Sequence, residues 1–311
     1  MNLKEFFKEN KEFVILTFFV SIFFIVFFYS INQKPKEIII VNKEQIIKKE
    51  VVNYEALLGE IKAKSFYVYD INNDKAIFAK DENLQLPLAS ITKLMSGLVI
   101  LDVLPETTIV RIGRDDISQE GDTGLVVDED WKLKDLLDFT LITSSNDGIH
   151  ALSSVINSYE GINNKDIIKL MNEKAKILGL KNTLFLNETG LDVDLNLSGA
   201  YSSAYDISIL LKDIIENNPI LISQTKNDSE KFISENNISH FASNTNVSIN
   251  KIPNIIASKT GFTDLAGGNL AIIFDAGFSY PIAIVVLGST TDERFTDVEK
   301  LVKLTLQKLS E

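Results

Sequence analysis

The sequence contains no cysteine and only two histidines, His150 and His240. The first absence excludes disulfides, thiolate metal sites and a cysteine nucleophile, and it fits either redox compartment. The second leaves only two candidates for a histidine base, so serine chemistry in this chain is expected to use another one. Arginine is scarce too: Arg111, Arg114 and Arg294 are the only ones, and every other basic side chain is lysine. With a formal net charge of −12, the chain lacks the basic surface that favours a nucleic-acid partner. Seven carboxylates crowd residues 111–131, RIGRDDISQEGDTGLVVDEDW. They lack the D-x-[DN]-x-[DN]-G register of a calcium loop, so the stretch reads as solvated turns between short strands.

What is present begins with a long apolar run. Residues 13–31, FVILTFFVSIFFIVFFYSI, carry no charge across 19 positions. As a helix they span about 28 Å, close to the hydrocarbon thickness of a bilayer. A cleaved signal peptide has a shorter apolar region and ends in a small-x-small site, whereas FFYSINQ offers only Ser30. The expectation is an uncleaved transmembrane anchor at 13–31, preceded by a short cytoplasmic tail at 1–12. Lys4, Lys8 and Lys11 precede the run, while Lys34, Lys36, Lys43, Lys48 and Lys49 follow it. That balance leans against an outside C-terminal domain, so the sidedness has to come from elsewhere. Residues 32–58, NQKPKEIIIVNKEQIIKKEVVNYEALL, read as a stalk or an irregular docking segment leading into a folded domain at 59–311.

Composition supports that domain: 45% hydrophobic and 24% charged residues over 311 positions are globular values, enough for a sizeable core. KSFYVYDINNDKAIFAKDEN predicts a β-hairpin turning at Asn72–Asp74. PLASITKLMSGLVILDVL follows as an apolar helix with Pro87 at its start. KLKDLLDFTLITSSNDGIHALSSVI is helical in period but interrupted at SSNDG. NKDIIKLMNEKAKILGL is an amphipathic helix closed by Gly179, and SSAYDISILLKDII begins at a serine cap. Two late apolar segments, IIASKTGFTDLAGGNLAIIFDAG and YPIAIVVLGST, have strand length, and a terminal amphipathic helix closes the chain. A hairpin early, helices in the middle and strands late predict an α+β domain: a sheet built from both chain ends, with helices on its faces.

Three short patterns carry chemistry. Ser90 and Lys93, in LASITKLMSG, lie at i and i+3 among Leu88, Ile91, Leu94, Met95 and Leu98. On a helix they share a face, and a lysine held neutral by burial and nearby positive charge is able to activate a serine hydroxyl. Ser144 and Asn146, in SSN, offer a hydroxyl and an amide; read alone they are equally a helix junction with a capping serine. Lys259, Thr260 and Gly261 place positive charge, a hydroxyl and a position open to close backbone approach at a strand edge. Each pattern alone is weak. In the order S-x-x-K, S-x-N, K-T-G they form the signature shared by penicillin-binding proteins and class A β-lactamases.

Over residues 60–311 the sequence resembles the low-molecular-mass penicillin-binding proteins, serine-type D-alanyl-D-alanine carboxypeptidases of the β-lactamase/transpeptidase-like superfamily. Besides the three motifs, LMNEKAKILGLKNTLFLNETGLD, SSAYDISIL, KTGFTDLAGGNLA and VVLGSTTDERFTDVEKL are similar to that family. The resemblance implies a mainly antiparallel sheet and a substrate that is a peptidoglycan stem peptide ending in D-Ala-D-Ala, with β-lactams as covalent inhibitors. It implies Ser90 as nucleophile, Lys93 as its base and Ser144 as proton relay to the departing D-alanine. It further implies that Asn146 positions the substrate amide, and that Lys259 and Thr260 bind the terminal carboxylate. Lys259 would also keep Lys93 neutral by repulsion. The oxyanion hole would be the backbone N–H groups of Ser90 and of Phe262, the residue after Gly261. Such a substrate puts the domain outside the cytoplasmic membrane. No metal or organic cofactor is implied.

Some positions are specific to this chain. Ser145 stands where many relatives carry glycine or alanine, and Arg294 stands where relatives often have arginine, without an assigned role. His150, near a helix, and His240, in a polar loop, support no triad. A β-lactamase would need a further glutamate in an E-x-x-L-N segment, and EGINN at Glu160 is the nearest match, without the leucine. Two further readings compete with carboxypeptidase action: D,D-endopeptidase activity on the same scaffold, and a non-catalytic domain that binds cell-wall peptides.

Overall fold

The computed structural model describes residues 11–31, 52–158 and 166–311. The expected tail up to residue 10, the stalk over 32–51 and the EGINN segment at Glu160 lie outside the described residues. Lys11–Ile31 is one helix, α1, a unit to itself, whose described side chains are exposed. Its side chains are described at 12 and 15–30. Within the stretches whose side chains are described, no helix is long and apolar enough to cross a membrane.

The second unit starts at Asn53, earlier than the expected boundary at 59. Asn53 caps a short helix, α2 (Tyr54–Leu58), by accepting from the Ala56 N–H. The Tyr54 ring packs on Phe78 with centroids 5.4 Å apart, and its hydroxyl donates to Glu311. The end of the 32–58 segment is therefore docked on the folded domain by an aromatic contact.

The hairpin forms as expected: β1 (Ser65–Asp70) and β2 (Lys75–Lys80) pair antiparallel across residues 71–74. β10 (Ile255–Thr263), β11 (Gly267–Asp275) and β12 (Pro281–Ser289) form a second antiparallel run. β12 then pairs with β1, with Tyr67 opposite Val285, so the five-stranded order is β10-β11-β12-β1-β2. Both chain ends thus build one sheet. Its central strands are apolar at nearly every position because both faces are covered. Leu270, Ile272, Phe274, Ile282, Ile284 and Val286 face the terminal helix α8 (Glu293–Leu309) in one core. Their neighbours Ala271, Ile273, Ala283, Val285 and Leu287 face the larger helical core on the other side.

Between the hairpin and the late strands lies the helical body. Short strands β4 (Ile109–Arg111) and β5 (Asp130–Lys132) flank the acidic stretch and pair with each other. Helices α4 (Leu133–Thr143) and α5 (Asn146–Ser158) meet at a sharp junction at Ser144 and Ser145. Helix α6 (Ile167–Ile177) ends at Gly179, which takes a left-handed φ of 72°. After β6 (Leu184–Phe185) and β7 (Ala200–Ser202), helix α7 (Ala204–Asn217) starts at the Ser203 cap, whose side chain accepts from the Asp206 N–H.

Two expectations need correction. Pro87 does not start a helix: Leu86–Pro87 is a two-residue strand, β3, paired with β7 at the edge of a small sheet. An edge tolerates proline's missing N–H. The helical segment begins later, as a 3-10 turn over Ala89–Thr92 that passes into α3 (Lys93–Val103). His240 is not in a polar loop. It lies buried on β9 (Ser239–Ser243), which pairs with β8 (Ser229–Ile233). Its Nε2 lies 2.6 Å from Glu129 Oε1, and its ring packs on Trp131 and Phe139. One hydrogen-bonded carboxylate makes burial of this polar ring tolerable.

Asn269, fully buried on β11, ties the sheet to the 3-10 turn. Its amide donates to the carbonyls of Pro87 and Leu88 at 2.9 and 3.0 Å and accepts from the Gly288 N–H at 2.8 Å. Asn269→Ala leaves these buried backbone groups without partners, a loss of about 3 kcal/mol. Denaturant unfolding of the variant is expected to show a correspondingly lower midpoint at unchanged slope.

Candidate active site

Four segments converge on two buried amines. The 3-10 turn presents Ser90, half-buried, and α3 begins with Lys93, which has no exposed surface. Lys93 Nζ lies 2.8 Å from Ser90 Oγ, 2.6 Å from Asn146 Oδ1 and 2.9 Å from the Thr189 carbonyl oxygen. The last two oxygens can only accept. A neutral amine has two N–H bonds and one lone pair, so those bonds go to Asn146 and Thr189. The lone pair is then left for the Ser90 hydroxyl proton. This is the arrangement a serine needs for activation by an amine.

Burial favours that neutral form. It lowers the Lys93 amine to about 7, against an opposing pull from the Glu188 carboxylate. The expected repulsion from Lys259 is not among the causes of this shift; removal from water is. At Lys259, which is 2% exposed, burial again dominates and pushes the amine well below its usual value, with Lys93 and then Arg294 adding repulsion. Lys259 Nζ donates to Ser144 Oγ at 2.7 Å and to the Thr260 carbonyl at 2.8 Å. The acceptors around both amines are neutral oxygens.

Ser144 owes its place to the α4–α5 junction. It takes a left-handed φ of 62°, and its N–H closes α4 on the Thr140 carbonyl. Ser145 points inward instead. Its Oγ accepts from the Gly148 N–H at 2.9 Å, capping α5, and lies 2.7 Å from Thr123 Oγ1. The extra hydroxyl at this position is thus spent inside the fold, away from Ser90. Asn146 is held at both ends, since its Nδ2 donates to the Glu120 carbonyl at 2.6 Å.

The K-T-G strand is β10, the edge of the sheet, and it packs against the 3-10 turn. Gly261 was expected to leave room for a ligand. Its immediate neighbour is the chain itself: a Cβ there would meet the Leu88 carbonyl at 2.7 Å and the Ile91 nitrogen at 3.2 Å. Thr260 Oγ1 lies 2.6 Å from Thr245 Oγ1. Phe262, 48% exposed, opens a cleft of about 450 Å³ that continues along Thr263–Leu265 to Leu191 and Leu195. Arg294 now has a contact: Nη1 donates to the Gly261 carbonyl at 2.8 Å, bracing β10 from α8.

All eight expected residues therefore border one site, Phe262 at its rim. Sequence reasoning missed Thr189, Glu188, Glu120 and Thr245. Thr189 and Glu120 serve Lys93 and Asn146 through backbone carbonyls, which leave no side-chain signal. His150, on α5 itself, has its Nδ1 2.7 Å from Glu188 Oε1.

Comparison with known proteins places the chain in a family. Residues 49–291 match the sequence profile of the D-alanyl-D-alanine carboxypeptidase family. The D-alanyl-D-alanine carboxypeptidase DacF of Bacillus subtilis (strain 168) is 34% identical over 247 residues, covering 77% of this chain and 61% of that protein. A D-alanyl-D-alanine endopeptidase of Escherichia coli (strain K12) is 32% identical over 251 residues, covering 78% and 76%. Penicillin-binding protein D2 from Listeria monocytogenes, solved in its ampicillin-bound form, superposes with a TM-score of 0.68 at 25% identity, covering 79% of this chain and 98% of that one.

The loop after β6 has no slack. Gly190 has φ 79°, and a Cβ there would lie 2.0 Å from the Ala89 carbonyl oxygen and 2.5 Å from Thr92 Oγ1. Gly190→Ala is expected to lift Thr189 away from Lys93 and cost about 2–4 kcal/mol, read as a lower melting temperature.

Proposed function

The chain belongs to the D-alanyl-D-alanine carboxypeptidase family of serine peptidases, and from that premise we propose that it removes the terminal D-alanine from peptidoglycan stem peptides through a serine acyl-enzyme. The observation that carries this reading is the lone-pair geometry of Lys93, buried beside Ser90 at 2.8 Å. Ser90 Oγ attacks the carbonyl carbon of the penultimate residue while Lys93 takes its proton. The backbone N–H groups of Ser90 and Phe262 receive the developing oxyanion. Ser144, hydrogen-bonded to Lys259, hands its proton to the departing D-alanine nitrogen and regains one from the protonated Lys93. Water then attacks the ester, and the residues around Lys93 move the protons in reverse.

Lys259 and Thr260 take the substrate's terminal carboxylate. Burial works against a charged Lys259 in the free enzyme, and an arriving carboxylate supplies the missing counter-charge. The bound anion and the ammonium therefore stabilise each other. Asn146 orients the substrate amide, and the cleft beyond Phe262 receives residues upstream of the cut. D,D-endopeptidase action on cross-links is a second outcome of the same chemistry, favoured by the endopeptidase relative that this chain resembles over most of its length. β-Lactams, which present a strained amide and a carboxylate in the same arrangement, acylate Ser90.

The reading extends to location. The uncharged run at 13–31 supports a single membrane span, with the catalytic domain outside the cytoplasm beside its substrate.

Intact-mass spectrometry of the full chain with excess benzylpenicillin is expected to show one lasting adduct, on the peptide containing Ser90 and absent from Ser90→Ala. Rapid drug loss without an adduct would mean a β-lactamase, and neither adduct nor loss would remove Ser90 as nucleophile. With Lys93 near 7, the acylation rate should fall about tenfold per pH unit well below that value, as the amine becomes charged. For the anchor, the full chain is expected in the membrane fraction after an alkaline carbonate wash, whereas a form lacking 13–31 is released.

A further inference from the structure

Behind Lys93 sits a second pair of ionisable groups that the reaction does not consume. Glu188 immediately precedes Thr189, whose carbonyl accepts from Lys93 at 2.9 Å. Its own backbone carbonyl accepts from Ser96 Oγ on α3 at 2.7 Å. Its carboxylate, with 14% of the side chain exposed, lies 2.7 Å from His150 Nδ1, one turn along α5 from Asn146. Glu188 is thus anchored to both helices that carry the site, one residue from the catalytic amine's own acceptor. We infer that Glu188 and His150 are positioning residues that set the charge state of Lys93, His150 acting as the titrating group that masks or exposes the Glu188 charge.

The placement of Glu188 beside Thr189 and against His150 sets the electrostatics. A carboxylate facing a buried amine favours the ammonium, the form that cannot accept the Ser90 proton. Glu188 pulls Lys93 in that direction. When His150 is protonated, its charge offsets Glu188 and Lys93 is freed to be neutral. When His150 is neutral, the full carboxylate acts on Lys93. The hydrogen bond to Glu188 is the leading cause that raises His150 above its usual value, so masking persists further towards neutral pH than an isolated histidine would allow. Other ionisable groups face this pair. Asp116 Oδ1 is 3.9 Å from His150 Nε2 and, with Asp115, favours its protonation. Asp147 and His150 also interact. On the far side, Lys93 faces Lys259, which in turn faces Arg294.

The masking flattens the response of the base to acid. As pH falls, protons arriving at Lys93 and at His150 oppose each other's effect on the Ser90–Lys93 couple, so activity survives to a lower pH than Glu188 alone would permit. This rests on the reading of Lys93 as the base, but the charge coupling itself is measurable without any substrate.

The test is NMR titration of the lysine ε-carbons in the 13C-labelled full chain in detergent, for the wild type, Glu188→Gln and His150→Gln, alongside the pH dependence of penicillin acylation. Glu188→Gln keeps an acceptor for His150 and removes the charge. The Lys93 midpoint and the acid limb of acylation are expected to move down by about one pH unit. His150→Gln exposes Glu188, and both should move up. Opposite shifts distinguish charge control from loss of structure, which would move both variants alike. An unmoved Lys93 midpoint in Glu188→Gln, or equal shifts in the two variants, would overturn the inference, and Glu188→Gln alone decides it if His150→Gln does not fold. Opposite shifts in a protein that penicillin does not acylate would sustain the coupling and overturn the carboxypeptidase reading instead.

Discussion

An amine sealed from water with only neutral oxygens in hydrogen-bond contact is the constraint on which the rest of this structure turns. A lysine on the surface stays charged through the physiological range and is no base. Fully buried on α3, Lys93 falls to about 7 because removal from water penalises its ammonium form. Such burial is costly unless the polar atoms are satisfied. The fold satisfies them by bringing Asn146, Thr189 and Ser90 to one nitrogen from three separate segments. Basicity, hydrogen bonding and access to the serine are thus one arrangement viewed from three sides.

That arrangement requires close approach and some strain. Ala89, before the nucleophile, and Ser144, at the helix junction, both take left-handed backbone angles without being glycine. Such residues cost on the order of 1–3 kcal/mol each and persist when their surroundings over-determine them. Here the surroundings are visible. Thr92 Oγ1 donates to the Ala89 carbonyl at 2.7 Å, while Gly190 and Gly261 press against the same turn from opposite segments. Asn269 and Arg294 brace it from the sheet and from α8. The five-stranded sheet, buried on both faces, supplies the rigidity against which this strain is held.

Much of this was legible from residue order. Strand-length apolar runs, the hairpin turn, the Gly179 stop and the Ser203 cap encode local geometry within a few residues, and each forms where its chemistry predicts. The three motifs were likewise recognisable because they consist of side chains. The errors have a common source. Pro87 and His240 were misplaced because their partners lie far away in sequence: β7 for Pro87 and Glu129 for His240. The helical pattern that begins near Pro87 is real, but it starts only after a turn shaped by contacts with β10 and β11.

Residue order by itself marked the groups to which the proposed chemistry is assigned: a serine and a lysine three apart, a hydroxyl and an amide two apart, and a lysine-threonine-glycine strand. It also determined that both ends of the domain contribute strands. Only the tertiary structure decided what those groups are in chemical terms. Whether Lys93 is a base or a cation depends on how much water reaches it and which charges face it, and those come from Asn146, Thr189, Glu188 and Lys259, between 53 and 166 residues away. Carbonyl acceptors such as Thr189 and Glu120 are identical in every residue type, so no sequence pattern marks them. Solvent exclusion is a property of the assembled whole, and the reactivity of this site is a consequence of it.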